Sequence, residues 1–152
     1  MVEKHVLYEV KGYDAVITLN RPKAKNAFSP EMIKLWRECL EKAKADDNVR
    51  VIVVTGKGDT FCSGGDIRDM ADGKLKSWDM KRFLWDGVHR IVLTLEDLDK
   101  PVIAAINGAA MGAGMDMAIM CDLRVCSDRA KLAESYIMMG LIPGDGGAYF
   151  LQ

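Results

Sequence analysis

The spacing of apolar residues along the chain changes several times, and each change marks an element. Leu7-Tyr8-Glu9-Val10 and Ala15-Val16-Ile17-Thr18-Leu19 are short runs suited to strands, and the Lys11-Gly12-Tyr13-Asp14 segment between them carries a turn glycine. The pattern predicts a β-hairpin. Asn20-Arg21-Pro22 stops the second strand. Ser29-Pro30-Glu31 then offers an N-cap oxygen, a proline suited to the first helical position and an acid for the first turn. Met32, Trp36, Leu40 and Ala43 follow at steps of three and four, so a helix beginning there has one apolar face with which to cover a sheet.

Val51-Ile52-Val53-Val54-Thr55 is continuously apolar and β-branched up to Gly56, the pattern of a strand buried on both faces and paired in parallel. Met80, Leu84, Val88, Ile91 and Leu95 predict a second amphipathic helix, which Pro101 separates from the strand Val102-Ile103-Ala104-Ala105-Ile106. Strand, helix and strand alternate, which favours an α/β fold, either with crossover connections or wound as a spiral. Periodicity does not choose between these. No Pro/Ser-rich linker divides the chain, so residues 1–152 are expected to form a single domain.

Composition narrows the function classes. The 152 residues are 49% apolar and carry 21 Lys+Arg against 22 Asp+Glu, a net charge of −1 with no basic block, so nucleic acid is not an expected partner. The longest apolar stretch, Pro101 to Met115, is interrupted by Asn107 and glycines and is too short for a bilayer span, so no membrane partner is expected. The Met1-Val2-Glu3-Lys4-His5 start lacks the features of a secretory signal, and a cytoplasmic location is expected. Cys39, Cys62, Cys121 and Cys126 show no CxxC spacing, so they are expected to be reduced, buried thiols with no metal site.

Two glycine-rich segments follow strands: Phe61-Cys62-Ser63-Gly64-Gly65-Asp66, and Asn107-Gly108-Ala109-Ala110-Met111-Gly112-Ala113-Gly114. Strand exits of parallel sheets are favoured ligand sites, and glycine lets backbone amides come close to a substrate. Two N–H groups converging on a carbonyl oxygen can stabilise the charge that develops there. If a helix starts near Gly112, the Ala113 amide lies in its first turn, where donors are unpaired, with Asp116 on nearly the same side. An oxyanion donor and an acid–base group would then be neighbours.

With Leu19-Asn20-Arg21-Pro22-Lys23-Ala24-Lys25-Asn26-Ala27, Lys100-Pro101-Val102-Ile103-Ala104-Ala105-Ile106-Asn107-Gly108, Gly112-Ala113-Gly114-Met115-Asp116, Cys121-Asp122 and Gly140-Leu141-Ile142-Pro143-Gly144, these segments resemble, in order and spacing, the crotonase family of enoyl-CoA hydratases and isomerases. The resemblance implies a ββα spiral, here truncated before its C-terminal helical region, that binds acyl-CoA thioesters and forms a homo-trimer or a dimer of trimers when full length. It implies oxyanion donors at Gly65 and Ala113, and contacts to coenzyme A from Lys23, Ala24, Lys25, Cys62, Gly64, Gly65, Asp66 and Ile67. Coenzyme A would enter as part of the substrate, with no other cofactor. Two exposed lysines on a solvated turn are the plain alternative for Lys23 and Lys25.

Hydration of an enoyl thioester needs a base to activate water and an acid to supply the second proton. The family's hydratases resemble one another in carrying two glutamates for this, whereas this chain has Asp116 and Tyr136 at the matching positions. Glu134, two residues before Tyr136, and Asp145, after Gly144, are candidates for the second carboxyl, with a surface charge and a turn residue as their ordinary alternatives. The expected function is an enoyl-CoA hydratase with Asp116 as acid–base group and Tyr136 or Glu134 orienting water or carrying a proton. Double-bond isomerisation and a non-catalytic acyl-CoA-binding subunit are the alternatives. His5 and His89 form no triad and are read as surface or packing residues, and most of the methionines as core.

Overall fold

Gly12 and Tyr13 turn the chain between β1 (Val6–Lys11) and β2 (Asp14–Leu19), which pair antiparallel from Val6 opposite Leu19 to Lys11 opposite Asp14. The computed structural model describes residues 4–68 and 76–151. Ala15, Ile17 and Leu19 alternate along β2 and are fully buried. β2 pairs in parallel with β3 (Val51–Gly56), β3 with β5 (Val102–Ile106), and β5 with β7 (Leu123–Cys126), giving a five-stranded sheet of order β1-β2-β3-β5-β7. A second parallel sheet is built from β4 (Thr60–Cys62), β6 (Ala109–Met111) and β8 (Leu132–Ala133).

The strand pairs β3/β4, β5/β6 and β7/β8 each give their first member to the larger sheet and their second to the smaller one. The chain therefore winds in repeated ββα turns, the spiral alternative that periodicity left open. The helices α2 (Ser77–Arg82) and α3 (His89–Glu96) follow β4, and α4 (Ala113–Ile119) follows β6. After β8 come a 3₁₀ turn, Ser135–Met139, and the short α5 (Gly147–Phe150).

The first helix, α1 (Pro30–Ala45), is capped as expected: Ser29 Oγ accepts the Met32 N–H at 3.1 Å. Met32, Trp36, Leu40 and Ala43 are fully inside, and each of the three large ones contributes about 1.5–3 kcal/mol by leaving water. Its C-terminus is closed from a distance. Lys100 Nζ donates to the carbonyls of Ala43, Lys44 and Asp46 at 2.8, 3.0 and 2.8 Å, tying the end of α1 to the entrance of β5.

Two expectations need correction. The second amphipathic helix is interrupted by a π-helical segment, Phe83–Val88, where Gly87 comes up against Ile33 of α1. Such a widened turn adds a residue that a 3.6-residue period does not register. The cysteines are not all buried: Cys62 and Cys121 are, Cys39 is half-buried, and Cys126 is exposed on β7, all four of whose residues are exposed. No described helix is long and apolar enough to cross a membrane. Replacing Lys100 with Ala is expected to lower stability by about 1–3 kcal/mol, since three helix-end carbonyls lose a charged donor. Urea unfolding of the whole protein checks this, and an unchanged midpoint would contradict it.

Candidate active site

β4 and β6 are neighbours in the smaller sheet, so the two glycine-rich segments that leave them emerge side by side. Their backbones touch. A Cβ on Gly114 would lie 2.2 Å from the Cys62 carbonyl oxygen, and one on Gly64, whose φ is +82°, would lie 2.8 Å from Met111 O and 3.2 Å from Ala113 N. Only residues without a side chain permit this approach. Ala113 opens α4, where an N–H has no acceptor within the helix. Among the described residues neither the Gly65 nor the Ala113 N–H has an acceptor, and the two belong to adjacent loops.

The Asn-Arg-Pro segment braces the first of these loops. Asn26, at φ +53°, accepts the Arg21 N–H and donates to the carbonyls of Lys57 and Thr60. Phe28 N–H donates to Gly64 O at 2.8 Å and Ser63 N–H to Lys25 O at 3.1 Å. The Arg21 guanidinium reaches both Ala27 O and the Asp66 carboxylate. Asp66 is held below the usual carboxylate range, chiefly by its hydrogen bonds from Arg68.

Several of the residues expected to hold coenzyme A are therefore already engaged. Asp66 is buried and ion-paired, and Lys25 Nζ lies 3.0 Å from both Asp59 oxygens. Cys62 is fully buried, its thiol donates to Asn26 O, and burial pushes it up to about 12. Its side chain packs between the loops, where its Sγ also accepts the Gly64 N–H at 3.4 Å, and so is not free to meet a ligand. Lys23 and Ile67 are exposed, and Ala24 is half-buried.

A carboxyl cluster lies beside the donors. Asp116, in the first turn of α4, is fully buried. The Tyr136 hydroxyl donates to Asp116 Oδ2 and also lies 3.0 Å from Asp145 Oδ2. Both Glu134 carboxyl oxygens are buried and unpartnered, as are Asp116 Oδ1 and Asp145 Oδ1. Glu134 and Asp116 are within hydrogen-bonding reach, but while both are ionised neither has a proton to donate. A Cβ on Gly147 would sit 2.3 Å from Asp116 Oδ1 and 3.0 Å from Glu134 Oε1, so α5 closes over this group with no side chain at its nearest point.

Burial, then the neighbouring Asp116 and Asp145, pushes Glu134 up to about 7. Burial also raises Asp145, further raised by Asp116 and opposed by Tyr136 and His89. Tyr136 is raised by burial and by its bond to Asp116, so it remains a proton donor. Three carboxyls thus share one site in which their unpartnered oxygens are buried.

The structure brings Asp116, Glu134, Tyr136 and Asp145 together. Glu134 and Tyr136 meet Asp116 through the 3₁₀ turn that follows β8, not through alternation along a strand. His89 is more than a packing residue: its Nε2 lies 3.0 Å from Gly144 O and 3.6 Å from Asp145 Oδ1. No local signal near His89 marks it, because the contact spans 55 residues. Met115 and Met117 belong to the core, whereas Met138 and Met139 are exposed.

Because Glu134 moves from an ordinary 4.5 to about 7 on folding, the folded state binds more protons in that interval, and its contribution to stability is lost as pH rises toward and through about 7. Glu134→Gln is therefore expected to raise the urea midpoint relative to the parent more at about pH 8 than at about pH 5. Parallel pH dependences would contradict this.

The chain matches the family model described as enoyl-CoA hydratase/isomerase over residues 11–152. It is 35% identical over 149 residues to the short-chain-enoyl-CoA hydratase of Clostridium acetobutylicum, covering 97% of this chain and 56% of that protein. To the 1,2-epoxyphenylacetyl-CoA isomerase of Escherichia coli it is 35% identical over 147 residues, covering 96% and 56%. Among solved structures, an enoyl-CoA hydratase from Polaromonas sp. JS666 superposes with a TM-score of 0.90 at 32% identity, covering 96% of this chain and 57% of that one. The chain thus spans about half the length of the relatives it matches. With the ββα winding and the paired glycine turns, these likenesses establish that the chain belongs to the enoyl-CoA hydratase/isomerase family.

Proposed function

We propose that the whole protein adds water to 2-enoyl-CoA thioesters through an enolate whose oxygen is held by the Gly65 and Ala113 N–H groups. The observation that carries this reading is the adjacency of two unpartnered backbone donors to a buried carboxyl, Asp116. As water adds to the β-carbon, charge moves onto the thioester oxygen, where fixed donors in a site shielded from solvent stabilise it. Asp116 accepts the proton of the attacking water. The second proton reaches the α-carbon by way of Tyr136 or Glu134, both of which burial biases toward the protonated form.

Coenzyme A arrives as part of the substrate, and the reaction is carbonyl polarisation and proton transfer, which the site's own groups supply. Exposed Lys23 and Ile67, with the backbone of residues 24, 25 and 62–66, would flank it. Residues 1–152 form one spiral domain in this reading. Ile137, Met138 and Ile142 are 79%, 82% and 84% exposed, a face suited to burial against further chain or a neighbouring subunit. That supports assembly as a trimer or a dimer of trimers, and four unpaired cysteines fit a reducing cytoplasm.

Isomerisation of an acyl-CoA double bond is the second reading, favoured by Tyr136 standing where a hydratase glutamate is expected and by the likeness to a protein named as an isomerase. A non-catalytic acyl-CoA-binding subunit is the third. Crotonyl-CoA separates them: loss of the enoyl absorbance shows hydration, migration of the double bond in a 3-enoyl thioester shows isomerisation, and binding without turnover shows a binder. Asp116→Asn is expected to bind substrate while turnover falls by about 10²–10⁴-fold. Equal rates for parent and variant would remove Asp116 from the reaction.

A further inference from the structure

Tyr136 presents a problem of proton counting. Its hydroxyl has one hydrogen, yet its oxygen is in bonding contact with carboxylate oxygens of two residues, Asp116 and Asp145. The shorter contact is to Asp116, so the proton lies there and the lone pairs of the tyrosine oxygen face Asp145. An ionised Asp145 would meet those lone pairs with its own at 3.0 Å. A neutral Asp145 would meet them with a proton.

The surroundings of Asp145 agree with the neutral form. Its carboxyl is buried, and its Oδ1 has no hydrogen-bond partner. His89 is the only basic side chain within ion-pair distance of it among the described residues, and its Nε2 lies 3.6 Å away, beyond a hydrogen bond. That nitrogen donates instead to Gly144 O at 3.0 Å, since a carbonyl can only accept. Glu134, from the turn after β8, adds a further carboxyl to the group. Full ionisation would place three negative charges in one buried site where, among the described residues, no lysine or arginine lies within ion-pair distance of Asp145.

We propose that Asp145 is a positioning residue held as the neutral acid, donating to the Tyr136 oxygen so that Tyr136 in turn clamps Asp116 as the site's carboxylate. The chain runs Asp145 O–H to Tyr136 O, then Tyr136 O–H to Asp116 Oδ2. Each bond polarises the next, so an acid behind the tyrosine makes it a stronger donor to Asp116. The arrangement explains why a tyrosine can stand at position 136: it passes on the influence of a carboxyl that sits nine residues later. The proposal rests on the reading of Asp116 as the acid–base group.

The test uses the whole protein and five single substitutions, with Glu134→Gln and Asp145→Asn also combined. Asp145→Leu, which removes the donor, is expected to lower kcat about tenfold or more while KM stays within about threefold, as for an interaction that acts on the chemical step. Asp145→Asn restores an N–H that can face the Tyr136 oxygen and is expected to recover most of that loss. Losing a donor makes a carboxylate easier to protonate, so the acidic limb of kcat moves to higher pH in Asp145→Leu and in Tyr136→Phe. The groups facing Asp116 in that profile are Glu134, Tyr136, Asp145 and, behind Asp145, His89.

Infrared spectroscopy supplies a readout independent of turnover. In a Glu134→Gln background a carboxylic-acid carbonyl band is expected to persist at neutral pH and to vanish when Asp145→Asn is added. No such band, or Asp145→Asn as impaired as Asp145→Leu, would show that Asp145 works as a carboxylate and would overturn the proposal. Full turnover in Asp116→Asn would instead sink the acid–base reading beneath it. An inactive Asp116→Asn beside an unaffected Asp145→Leu would sink the proposal alone.

Discussion

The contact of backbone on backbone between the two glycine turns is what the rest of the site depends on. Gly114 lies under the Cys62 carbonyl, and Gly64 lies against Met111 and Ala113. Parallel pairing of β4 with β6 brings the turns to the same edge, and the absence of side chains lets them close the remaining distance. Two consequences follow from this one approach: the Gly65 and Ala113 amides become neighbours, and α4 starts at a depth that buries Asp116 four residues into its own turn sequence. Any side chain at Gly114 would push these apart together.

The second constraint is charge. A buried carboxylate is tolerated when donors surround it, and buried groups without donors give up their charge. Here Asp116 has the Tyr136 hydroxyl, whereas both oxygens of Glu134 have no donor and Glu134 is pushed up to about 7. The cluster therefore gives chemically similar groups different surroundings. That difference is the raw material of acid–base chemistry near neutral pH.

How far the sequence could be read depended on the range of the interaction. The cap at Ser29, the apolar face of α1 and the hairpin turn at Gly12 are local, and each could be read from neighbouring residues. The π-helical segment at Phe83–Val88 could not, because it arises where the helix meets α1. Some motif residues that suggest chemistry turn out to hold the fold. Asp122 accepts the Val102 N–H at the start of β5, Lys100 closes α1, and Asn26 and Asn107 tie down the turn between β3 and β4. In the site itself, Asp116 was legible from its place in a first turn, but the joint presence of Glu134, Asp145 and His89 depends on contacts that only the spiral creates.

The two unpartnered amides carry the whole functional reading, and they can be examined directly. A crystal structure of the whole protein with a bound acyl-CoA thioester is expected to show the carbonyl oxygen about 3 Å from both the Gly65 and the Ala113 nitrogens, with the acyl chain running past Asp116. A thioester oxygen bound elsewhere, or held by only one of these nitrogens, would contradict it.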